Sequence, residues 1–193
     1  MLCVNSDGRF HQGDILEDIE FSYPKVTETG HEIINIKIPY AVVVSQECDL
    51  FWDFKNRNNP EKKDEDKFIQ TILVCPAFLE EDFKTGQYLT ALGLRMQTWN
   101  TGNIEKIQKN NLSRYHFIEA KTGDPVPSLY IDFKHYYTLN NTFDKYQGNY
   151  RASLEVLYRE QLSQRFAFYL SRIGLPEEIN VPTPIVRHAL EAS

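Results

Sequence analysis

The sequence predicts a mainly β fold with α elements (α+β), an antiparallel barrel or sandwich with long insertions and a C-terminal amphipathic helix. Three observations predict it. Short apolar and β-branched runs recur between Gly, Pro, Asn and Asp turn signals. Aromatic residues make up 13% of the chain, with 11 Tyr and 12 Phe, which favours a sheet-rich core over a helical bundle. One segment alone, near the C-terminus, combines a helical period with capping residues at both ends.

The elements follow in order. Residues 10–21 hold a turn at Gln12-Gly13-Asp14, then Ile15, Leu16, Ile19 and Phe21, a strand entry. Residues 22–30 are polar, with Pro24 and Gly30, and read as a loop. Residues 31–38 alternate, placing Ile34, Ile36 and Ile38 on one face of a half-buried strand. Residues 39–44 (PYAVVV) are apolar on both faces, as in a strand covered on both sides. This strand runs into Ser45, Gln46, Glu47, Cys48 and Asp49 at the mouth of the core.

A loop is expected over 53–67, where Glu61 to Lys67 is an unbroken run of charges. Residues 68–74 resume the sheet, with Pro76 marking its end. Residues 78–87 read as an acidic helical turn, and 115–120, 128–133 and 135–139 as further strands. The helix is expected over 154–173, with Ser153 as N-cap, Gly174 beyond its end and Pro176 blocking continuation. Tyr158, Leu162, Phe166, Tyr169 and Ile173 form its apolar side. The chain therefore divides into a β-domain over 1–150 and a helix with tail over 151–193, packed on the barrel or on a partner.

At 193 residues, 41% hydrophobic and 25% charged, the chain is sized for one domain with a real core. Its net charge of −6 argues against non-specific binding of bulk nucleic acid. Three cysteines without paired spacing do not form a disulfide framework. No apolar run approaches the ~18 residues of a membrane span. The opening stretch lacks the basic-then-apolar order of a signal peptide, so the expected location is cytoplasmic and no membrane is expected among the partners.

Three segments together resemble the PemK/MazF-type growth-inhibitor toxins of bacterial toxin–antitoxin systems. Gln12-Gly13-Asp14-Ile15 is similar to their first-strand entry, residues 39–45 to their second core strand, and Ile72-Leu73-Val74-Cys75-Pro76 to the following strand. The resemblance covers roughly residues 10–80 and implies a small SH3-like barrel. It also implies RNA cleavage by an arginine near the first loop and a Thr or Ser after the proline. Here Ala77 and Phe78 follow Pro76, and no arginine lies between Phe10 and Pro39. The scaffold is thus implied more strongly than the nuclease. Ser45-Gln46-Glu47-Cys48-Asp49 is also similar to a segment of uncharacterised bacterial proteins, which implies no activity.

The candidate site residues are Gln12, Asp14, Ser45, Gln46, Cys48, Asp49 and Arg165. A hydroxyl, an amide, carboxylates and a thiol at a strand mouth can bind a small ligand, or can simply tie off the strand through local hydrogen bonds. Cys48 is a candidate nucleophile if a base lowers its pKa. Cys48, Asp49, Cys75 and a histidine are conceivable metal ligands, although no CxxC or HxxxH spacing is present. Asp14, Glu47, Asp49 and Asp132 are a conceivable carboxylate cluster. Arg165 either lays its stem along the core or offers its guanidinium to an anion. The preferred function is a partner-binding barrel of a toxin–antitoxin or phage-defence-like system, with a protein partner or homodimer and no cofactor. The alternatives are a ribonuclease-like toxin cutting single-stranded RNA, and a thiol or metal site at Cys48-Asp49.

Overall fold

The computed structural model describes residues 1–172 apart from 29, 62–64, 89, 91–93 and 95–97. Its frame is one antiparallel sheet curled into a half-barrel. The strands are β1 (Leu2–Cys3), β2 (Asp14–Thr27), β3 (Gly30–Val43), β4 (Thr71–Phe78), β5 (Tyr115–Ile118), β6 (Leu129–Asp132), β7 (Tyr137–Asn140) and β8 (Tyr150–Leu154). They lie in the order β1-β8-β2-β3-β4-β6-β5, with β7 beside β4. Among the described residues five α-helices accompany them: α1 (Glu47–Arg57), α2 (Glu80–Thr85), α3 (Thr101–Gln108), α4 (Phe143–Tyr146) and α5 (Val156–Leu170).

The valine run is the middle of this frame, as its two-sided apolarity implies. Val42 and Val44 face one core cluster with Cys75, Leu129, Leu162 and Phe166. Ala41 and Val43 face a second with Leu16, Ile38, Leu50 and Val74. The alternation of faces breaks at Pro39, which lies across the hairpin from Asp18, itself at φ 56°. Ile36 and Ile38 therefore share the second cluster with Ala41 rather than with Val42. A third, aromatic cluster of Phe78, Phe83, Tyr88, Tyr115 and Tyr130 lies under α2 and α3.

Several expectations are corrected. Residues 22–30 are no loop: β2 and β3 pair from Glu20↔Lys37 out to Thr27↔Gly30. Pro24 is tolerated because β8 pairs only with Asp14–Leu16, so no ladder runs along the other edge of β2 there. The expected loop over 53–67 begins as helix α1, which a polar buried face had hidden. Its inward residues are Leu50, Asp53 and Asn56, and Asp53 accepts from Ile69 N (2.7 Å), Arg57 Nε (2.9 Å) and Asn141 Nδ2 (2.7 Å). Acidic residues at the start of α1 and basic ones at its end suit the helix dipole. Strand β4 does not stop at Pro76. There β7 has ended at Val74 and β6 begins at Ala77, so the missing N–H falls at a seam between partners.

Ser153 caps no helix. It belongs to β8, paired with Cys3 and Asp14, and Glu155 precedes the first turn of α5. The sheet thus runs on through Leu154, past the boundary expected at 150. Along α5, Leu162 and Phe166 are buried against the first cluster, with Tyr158 and Tyr169 packed beside them, as the helical period implies. Full burial of such side chains contributes about 1.5–3 kcal/mol each. The expected helix end at Ile173 to Pro176 and the tail to 193 lie outside the described residues. Among the described residues no helix is long and apolar enough to cross a membrane.

Candidate functional site

The chain reverses sharply before β2, and the reversal sets up the site. His11 N donates to Asp14 Oδ2 (2.7 Å), Asp14 N to His11 O (3.1 Å) and Gly13 N to Val43 O (2.8 Å). Gly13 has φ 86°, and a Cβ there would meet Leu154 Cβ at 2.9 Å, so only glycine fits without displacement. Asp14 is fully buried. That burial pushes its carboxyl up to about 6, against the opposing effect of the His11 N–H.

Glu47, in the first turn of α1, joins this reversal to both helices beside it. Oε1 accepts from Arg9 (2.7 Å) and from His11 Nδ1 (3.1 Å). Oε2 accepts from Gln12 N (2.9 Å) and pairs with Arg159 of α5 at 3.0 Å. Burial alone would raise Glu47, but the bonds from His11, Arg9 and Gln12 prevail and hold it at about 2. His11 has its second ring nitrogen 2.8 Å from Asp7 Oδ1. Burial would lower its pKa, yet the bonds to Glu47 and Asp7 raise it, so an imidazolium donates to both carboxylates. The result is a saturated ionic knot tying the N-terminal turn, α1 and α5 together.

Beside the knot a groove opens between the end of the valine strand and α5. A cavity of about 290 Å³ is lined by Ser45, Gln46, Asp49, Leu73, Phe166 and Leu170, among others. It adjoins a second of about 360 Å³ lined by Asp49, Trp52, Asp66, Lys67 and Ile69, and Asp49 and Ile69 border both. Trp52 (49% exposed) and Leu170 (51%) leave large apolar surfaces at this groove. Asp49, Asp66 and Lys67 line it, and the Lys55 ammonium lies 5.0 Å from the centroid of the Trp52 ring.

The sequence candidates divide between these features. Ser45, Gln46 and Asp49 line the groove, and the tail of the valine strand is fixed there non-locally: Leu73 N donates to Ser45 Oγ (2.7 Å) and Val44 N to Leu73 O (2.8 Å). Gln12 reaches the same strand end, with Nε2 donating to Val44 O (3.3 Å). Cys48 is exposed on α1, while Cys75 is fully buried facing the core. Arg165 belongs to neither feature: it donates to the carbonyls of Asn110 (2.6 Å), Leu112 (3.0 Å) and Tyr115 (2.7 Å) and clasps the start of β5. Asp132 is taken up bidentately by Arg114 (2.9 and 2.6 Å).

Sequence reasoning missed Arg9, His11 and Arg159 as partners of Glu47. The available signal was an arginine and a histidine flanking Phe10 just before the Gly-Asp turn, with a glutamate two residues after Ser45. Nothing local marked Arg159, which is brought in by α5. Chemically, a carboxylate held at about 2 is a poor general base. Asp14, titrating near neutrality, is sealed from substrate. Among the described residues no group of three or more His, Cys, Asp and Glu side chains is placed to hold a metal ion. No family model and no curated protein matches this chain.

Proposed function

We propose that this chain is a partner-binding protein whose groove between residues 45–52 and α5 receives an apolar segment of another protein flanked by basic residues. The groove carries the reading: an apolar floor of Leu73, Phe166 and Leu170 beside an exposed Trp52, under a lip bearing Asp49 and Asp66. Apolar anchors would fill the floor, and Lys or Arg would meet the lip. The SH3-like barrel and the toxin–antitoxin or phage-defence-like setting are part of the proposal and rest on the resemblance over residues 10–80.

A second reading, a ribonuclease-like toxin acting on single-stranded RNA, draws on the grouping of Arg9, His11, Glu47 and Arg159. Occupied oxygens on Glu47 favour binding over catalysis. A thiol or metal site at Cys48-Asp49 has only contacts of 3.6 Å from Cys48 Sγ to Gln46 Oε1 and Asp49 Oδ1 in its support.

Selection of a random displayed-peptide library on the purified chain tests the proposal. Enriched peptides should share apolar anchors flanked by Lys or Arg and should be lost on Trp52→Ala and on Leu170→Asp. No consensus, or one indifferent to both substitutions, overturns the proposal. Cleavage of single-stranded RNA by the chain, abolished in His11→Ala, would establish the second reading in its place.

A further inference from the structure

The outer half of the β2–β3 hairpin leaves the half-barrel as a two-stranded arm. β8 covers β2 only at Asp14–Leu16, and β4 covers β3 only at Tyr40–Val43. Beyond these the two strands pair with each other alone, through to Thr27↔Gly30. The edge of β3 from Gly30 to Ile38 contains no proline, whereas β2 is interrupted by Pro24. Among the described residues no strand covers that β3 edge. An unpaired edge of this length is a ready template for another strand.

The arm also carries a bare apolar patch. Val26 is 74% exposed and Ile33 76%. The register Val26↔His31 and Pro24↔Ile33 places Pro24, Val26 and Ile33 on one face as cross-strand and diagonal neighbours. The opposite face of the arm begins at Phe21 and Ile36, which join the second core cluster.

We propose that this arm pairs with the arm of a second copy of the chain, β3 edge to β3 edge, antiparallel about a two-fold axis at Ile33. That register sets Ile33 against Ile33 of the second copy, His31 against Asn35, and Glu32 against Ile34, with no like charges opposed. It sets the two Val26–Ile33 patches side by side on one face, with Ile33 packed against Ile33 of the second copy. Moving the axis to Ile34 instead sets His31 against Lys37 and separates the two Ile33 side chains. Because each arm offers one proline-free edge, the isologous pairing of arms closes at two copies instead of growing into a fibre. The arm shares no residue with the groove at residues 45–52.

Sedimentation equilibrium of the full chain across a wide concentration range tests it. The expected result is a monomer–dimer equilibrium whose dissociation constant rises about tenfold or more in Ile33→Lys, where two ammonium groups would oppose one another. The thermal midpoint of the Ile33→Lys monomer should match the wild type, since Ile33 makes no core contact. In a Cys48→Ser background, Ile33→Cys should cross-link across the axis on oxidation and Val26→Cys should not. A monomer at all concentrations overturns the proposal, as does a dimer indifferent to Ile33→Lys or one cross-linked through Val26→Cys alone.

Discussion

Replacing Glu47 by Gln tests whether charge, and not shape, holds the N-terminal turn to α1 and α5. In the native chain the carboxylate is held at about 2 rather than the usual 4.5 by His11, Arg9 and the Gln12 N–H acting against burial. That difference corresponds to about 3 kcal/mol favouring the ionised, folded form, or about 2–3 kcal/mol once the partial exposure of Glu47 is allowed for. Glutamine keeps the size and one acceptor oxygen but leaves Arg159 without its anion and Arg9 and His11 with Asp7 alone. Because the folded pKa is depressed, the stabilisation is fully present above about 4.5 and is lost as pH falls towards 2. Urea unfolding of wild type and Glu47→Gln should therefore differ by about 2–3 kcal/mol at pH 7, shrinking to about 1 kcal/mol at pH 3. A difference below about 1 kcal/mol at pH 7, or one unchanged between the two pH values, would refute the electrostatic argument.

Other outcomes follow from the same geometry. Gly13→Ala must accept φ 86° and a contact of 2.9 Å with Leu154, and should lose about 2–4 kcal/mol in denaturant unfolding. Asp14 behaves oppositely to Glu47: burial raises its folded pKa from 3.8 to about 6, so wild-type stability falls as pH rises between those values. Asp14→Asn should flatten that slope, on the order of 2–3 kcal/mol, in melts taken between pH 4 and pH 6. Thiol labelling of the folded chain should modify Cys48 quickly. Cys75, fully buried and with its thiol raised well above the usual range, should react only after unfolding.

The strands that carry a simple period were legible in the sequence. The isoleucines of 31–38 and the two-faced valine run announced β3, and the apolar stripe of Tyr158, Leu162 and Phe166 announced α5. What was hidden had non-local causes. Pro24 and Pro76 look like strand breakers, and only the ladder shows that neither interrupts an occupied edge. Helix α1 escaped because Asp53 and Asn56, the residues it turns inward, are polar and are satisfied by Ile69 and Asn141 or by the helix itself. At the site, Ser45, Gln46 and Asp49 were recognisable as a polar strand mouth. Their neighbours Phe166 and Leu170 arrive from more than a hundred residues away, as does the Arg159 that completes the Glu47 knot.

The proposed docking surface is the groove bounded by Ser45, Asp49, Trp52 and Leu170. Two-dimensional NMR of the isotope-labelled chain, titrated with a peptide selected on it, tests this most directly. Shifts should concentrate at the Trp52 indole and at residues 45–49, 69–73 and 166–170. The knot residues His11 and Gln12 should change little. Shifts clustered elsewhere, with the Trp52 indole unmoved at saturation, would contradict it.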